Sequence, residues 1–253
     1  MAILETALRH FQEDMARARA LLDLASNQQA GLLADDVIRA AWMMGVGACD
    51  AYFSDAYADL ITRTLRAKTL EPTKALPNRL NNLKLPVSAF IRQPTGGWRW
   101  RMAAWELIES ENILSIEKIA TLFNQFFPKG QVPLTQDTLA DLILHPNAKP
   151  RLFGINSARY RAKNASDQAK ARKNGLLKLK NRFAVIFQRR HDCIHNCDRP
   201  KVSVQQIKHL TTDKALEDIA FLVERYHEAL FTRYPMYLAD IGFNGATRNN
   251  VCT

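Results

Sequence analysis

The sequence predicts an all-α chain, and three observations carry that expectation. Apolar residues recur at three- and four-residue steps over long stretches, the spacing of one helix face. No segment reads as a convincing strand, and there is no internal repeat. Proline concentrates in one central region, 68–155, instead of punctuating the whole chain. The expected architecture is an up-and-down helical bundle with an inserted region of small helices, all in a single domain, 1–253.

The first helix is expected over 2–25. Ile3, Leu4, Leu8, Phe11, Met15, Ala18, Leu21 and Leu22 form its apolar stripe. Asn27 to Gly31 breaks it. Asp35 and Asp36 then stand where acidic residues favour a helix start. A long second helix runs to about Ala67, with Ile38, Trp42, Val46, Cys49, Phe53, Tyr57, Leu60, Ile61 and Leu65 in its stripe. Two long helices joined by a short loop pack antiparallel, which opens a bundle.

Residues 68–155 read as the insertion. Pro72, Pro77, Pro86, Pro94, Gly96 and Gly97 interrupt its first third, leaving room for a short helix at 87–92. Short helices are expected near 100–110, 115–127 and 135–144, with Ser115 and Thr135 as caps for the last two. A further helix starts near Gly175 and runs into the 190s. Ser203 caps a short turn, and a last long helix runs from Thr211 or Thr212 to about Tyr234. The tail 242–253, rich in Gly and Asn, is expected to be loose.

The formal net charge is +10, which favours a polyanionic partner, usually nucleic acid. Between Arg159 and Arg182 nine basic residues face a single acid, Asp167. Arg172, Lys173, Lys178 and Lys180, with Arg189 further on, are the candidate nucleic-acid contacts. No apolar run approaches a membrane span. Met1 to Asp14 lacks the apolar stretch of a secretory signal. Four cysteines in no disulfide-dense pattern point to a reducing cytoplasm.

The stretch that carries chemistry is Phe183 to Pro200. On a helix, Leu176, Leu179, Phe183, Ile186, Phe187 and Ile194 share one stripe, and Arg190 falls in its middle. Burying an unpaired charge is expensive, so Arg190 is either paired inside the bundle or opens onto a cleft. His191 and His195 lie towards one edge of the same face. The alternation His191, Cys193, His195, Cys197 invites a zinc reading, but it lacks the usual ligand-pair spacing, and no metal or other cofactor is expected.

Arg190-His191-Asp192-Cys193-Ile194-His195 resembles the R-x4-6-H signature of HEPN domains, with Asn196 directly after the histidine. The order of helices around it is also similar, over about residues 1–67 and 170–235. The resemblance implies a metal-independent endoribonuclease acting as a toxin or antiviral defence effector. Its active site would hold Arg190 and His195, supported by His191 and Asn196. It implies RNA as substrate, a homodimer with the motifs meeting at the interface, and a possible antitoxin or defence-complex partner. The alternative it leaves open is a non-catalytic subunit that binds RNA or nucleotide. No helix-turn-helix signal supports a DNA-binding reading.

Overall fold

A computed structural model describes residues 2–28, 31–82, 98–109, 113–196, 198 and 206–253. Every regular element among them is helical. Two long helices come first, α1 (Glu5–Ser26) and α2 (Leu32–Leu70). The central elements are α3 (Asn78–Asn81), α4 (Trp98–Glu109), α5 (Ile116–Phe123, continued by a 3-10 turn Asn124–Phe126), α6 (Leu139–Leu144), α7 (Pro150–Phe153) and α8 (Ser157–Arg161). Two more long helices follow, α9 (Ala165–Asn196) and α10 (His209–Asp240), and then α11 (Gly245–Cys252).

The amphipathic stripe of α1 fixes its partner. Phe11, Met15, Ala18 and Leu22 are buried along α2. The pair is antiparallel: the Leu4 N–H donates to Asp59 near the far end of α2, at 3.0 Å. Helix α2 has no polar side to spare. Nineteen of its 39 residues are buried, because it is packed by α1, α4, α10 and α11. Edge-to-face contacts among Phe53, Phe123 and Tyr226, with ring centroids 5.5–5.6 Å apart, join α2, α5 and α10.

The short helices of 68–155 do not form a core of their own. Phe123, Phe126, Leu139, Ile143, Leu152 and Phe153 join the same buried cluster as the long helices. Asp218 on α10, with no exposed surface, is a second fastening: it accepts from Arg151 of α7 and Arg182 of α9, each at 2.8 Å. Ser115 caps α5 as expected, accepting from the Lys118 N–H at 3.0 Å.

Three expectations need correction. The ninth helix begins at Ala165, not near Gly175. Glycine inside a helix costs roughly 1 kcal/mol, which suggested a boundary. Gly175 is instead buried where α6 and α7 press against α9, and a Cβ there would meet Leu139 Cδ2 at 3.1 Å. The last long helix runs through Pro235 to Asp240, because Tyr234, Tyr237 and Leu238 are buried on either side of the proline. The tail is not loose. Asn244 caps α11 by accepting from the Thr247 N–H at 2.8 Å, Val251 is fully buried, and the Ile3 N–H donates to Cys252 at 3.2 Å. The expected helix at 87–92 and the Ser203 cap lie outside the described residues.

Gly45 marks a close crossing of α2 and α10. A Cβ at that position would stand 2.2 Å from Leu216 Cδ2 on α10. Gly45→Ala is therefore expected to destabilise the fold by about 1–3 kcal/mol, the usual cost of overpacking. Urea unfolding checks it, and an unchanged midpoint would contradict the crossing.

Among the described residues no helix is long and apolar enough to cross a membrane.

Candidate functional site

Helix α9 carries the motif into the bundle. Leu179, Phe183, Ile186 and Phe187 are buried, so the expected stripe is present. Ile194 departs from it and is 47% exposed. The indole of Trp42 on α2 donates to the Ile186 carbonyl at 3.1 Å, holding α9 one turn before the motif. Trp42 is core, as its place in the α2 stripe suggested.

Arg190 follows the buried Ile186 and Phe187 and is half-buried. It makes no hydrogen bond or ion pair with another described residue. It opens onto a cleft of about 300 Å³ whose wall is Leu114, Ser115, Ala184, Phe187, Gln188, Arg190 and His191. Of the two alternatives for a cation in an apolar stripe, the cleft is the one observed. Its partly apolar wall lowers the local dielectric, so the guanidinium acts more strongly on an anion there than at an open surface.

Asp50 of α2 is within electrostatic reach of Arg190. Burial pushes its carboxyl above the usual range, and the charge of Arg190 opposes that rise. Nothing local signals the encounter, because the two residues are 140 positions apart and meet only through the crossing of α2 and α9.

His191 and His195 both face solvent. They are one turn apart on α9, with ring centroids 4.4 Å apart and planes tilted by 44°. His191 borders the cleft and His195 does not. The helix stays regular through Asn196, so His195 sits over His191 instead of turning back to Arg190. The side chain of Asn196 and the whole of Cys197 lie outside the described residues.

The candidate nucleic-acid contacts divide. Lys173 and Lys178 are exposed and make no ion pair with another described residue. Lys180 pairs with Glu117 at 3.0 Å, and Arg172 donates to the Tyr160 hydroxyl at 3.0 Å. Arg189 is committed to the interior, donating to Asp198 at 2.6 Å. The same Asp198 oxygen accepts from Arg39 Nε at 2.8 Å, and Asp198 has no exposed surface. This clamp fastens the chain just beyond the motif to the start of α2. Sequence reading missed it, since Arg39 and Asp198 are 159 positions apart. The one local hint is conformational. Asp198 has φ +59°, a left-handed backbone that Asp tolerates better than most residues.

Comparison with known proteins adds no relative: no family model, no curated protein and no solved structure matches this chain.

Proposed function

We propose that the chain is a metal-independent endoribonuclease of the HEPN type that works as a homodimer. The observation that carries this reading is Arg190. It lies on a core-facing stripe, has no anion bonded to it among the described residues, and opens with His191 onto a cleft roomy enough for a phosphate group.

The chemistry follows from the residue types. The 2′-hydroxyl of the substrate attacks the adjacent phosphorus as a base removes its proton. An acid then delivers a proton to the departing 5′-oxygen, leaving a cyclic phosphate and a free 5′-hydroxyl. Histidine suits both proton transfers near neutral pH. Arg190 can bridge two phosphate oxygens and offset the charge that develops on the phosphorane. In-line displacement needs its base and its acid on opposite sides of phosphorus. His191 and His195 stand side by side on one helix, so one protomer supplies one side. A two-fold partner supplies the other. Ile194 of α9, one turn beyond Arg190, is 47% exposed and available to such an interface.

The test is incubation of the purified protein with total RNA in EDTA. Cleavage is expected to survive the chelator and to be lost in His195→Ala. If both proteins shift RNA on a gel and neither cuts it, the chain is a binding subunit. Cleavage that His195→Ala leaves intact would remove the motif from the chemistry.

A further inference from the structure

A second cavity, of about 250 Å³, lies away from the motif, between α10 and the 133–145 segment. It touches α9 at Leu179, eleven residues and so roughly 16 Å before Arg190 along the helix. Its wall is mainly aliphatic and aromatic, with Leu134, Leu142, Phe221 and Leu222. An apolar hollow with a few convergent polar groups is the usual form of a small-molecule site.

Arg225 pairs with Glu228 on its outer side, but other polar groups of the wall have no partner among the described residues. The Asn147 N–H donates to Nδ1 of His145 at 3.1 Å, and Arg225 Nη1 stands 2.7 Å from Nε2 of the same ring. A neutral imidazole has one lone pair and one N–H, so it can accept from only one of these two donors. With Nε2 accepting from Arg225, the proton lies on Nδ1 at the exposed side near Asn147, so the ring offers the cavity no spare acceptor. Burial first, and Arg225 second, hold His145 below the usual histidine range, against the opposing pull of Glu228 and Glu224. Arg225 Nε is also buried with no partner among the described residues, as is the hydroxyl of Tyr226, another wall residue that is 2% exposed. Leu134 has φ +61°, a strained backbone of the kind often kept at functional sites.

The charges are layered. The Arg225 side chain is 14% exposed, whereas the two acids paired with it, Glu224 and Glu228, are 48% and 60% exposed. Solvent and salt screen these exposed acids more than the buried cation.

We propose that this cavity binds a small organic anion with an apolar or aromatic body, whose carboxylate, sulfonate or phosphate oxygens accept from Arg225 Nε and the Tyr226 hydroxyl. The apolar body lies against Phe221, Leu142 and Leu222. The anion supplies the acceptor that these two buried donors lack among the described residues.

Two fluorescent probes of similar shape test this: the anion 1-anilinonaphthalene-8-sulfonate and the neutral N-phenyl-1-naphthylamine. The anion is expected to bind saturably, one per chain. Arg225→Gln is expected to weaken it about tenfold or more, the loss of one charge-assisted hydrogen bond, while the neutral probe changes far less. Ala229→Trp, which fills the cavity, is expected to abolish both. Thr232→Trp, at an exposed wall position, repeats that test without burden on the core, and thermal unfolding confirms that each variant is folded. Absence of saturable binding, anion binding that Thr232→Trp leaves intact, or equal loss of both probes in Arg225→Gln would each overturn the proposal.

Discussion

Asp198→Ala is expected to lower folding stability by about 3–5 kcal/mol, the usual result of breaking a buried ion pair from one side. Its carboxylate lies between two guanidiniums, Arg39 and Arg189, at 2.8 and 2.6 Å. The Arg39 side chain is 9% exposed and the Arg189 side chain 16%, so neither cation can recover its lost partner from bulk water. Burial works against the charge of Arg39, and Asp198 with Asp36 more than offsets it. Without Asp198 much of that compensation goes. Alanine is also poorly suited to the left-handed backbone at this position. Asp198→Asn, which keeps one acceptor and tolerates that backbone, is expected to lose distinctly less. A loss is large against a total stability of roughly 5–15 kcal/mol. Chemical denaturation measures it, and a change below about 1 kcal/mol would mean that the clamp is not formed in solution. RNA cleavage should fall in the same variant, since the clamp holds the end of the motif helix against α2.

Arg190→Ala is expected to reduce the cleavage rate about 10²–10³-fold, the scale seen when one preorganised charge-stabilising group is removed. Folding stability should change by less than about 1 kcal/mol, because the guanidinium makes no ion pair with another described residue and partly faces the cleft. Arg190→Lys keeps the charge and loses the fork, so it should recover only part of the rate. The combination separates chemistry from architecture. A variant that unfolds would make Arg190 a structural residue, and a folded variant that cuts at the original rate would take phosphate stabilisation away from it. Asp50 sharpens the result. Its charged form is disfavoured by burial and relieved by Arg190. Asp50→Asn should therefore leave the fold intact while altering the field at the cleft.

Much of the bundle is legible residue by residue. The stripes of α1, α2 and α9 predicted which faces are buried, and Ser115 predicted a helix start, because both signals are local and repeat at the helical period. Errors fall where a local penalty is offset by packing. Gly175 and Pro235 read as boundaries on propensity, and both lie inside helices whose neighbouring residues are buried. The tail reads as loose on composition, yet Val251 completes the core beside α1 and α2.

The sequence by itself determined that the chain is helical, which faces pack, and that one arginine interrupts a core stripe beside two histidines. Period and composition are properties of neighbouring residues, and a helix fixes the positions of those neighbours. Only the tertiary structure decided that Arg190 opens onto a cleft and acts on the Asp50 carboxyl, that Asp198 joins Arg39 to Arg189, and that His145 and Arg225 meet beside a cavity. Those encounters join residues up to 159 positions apart. They arise from how helices cross, which no local pattern encodes.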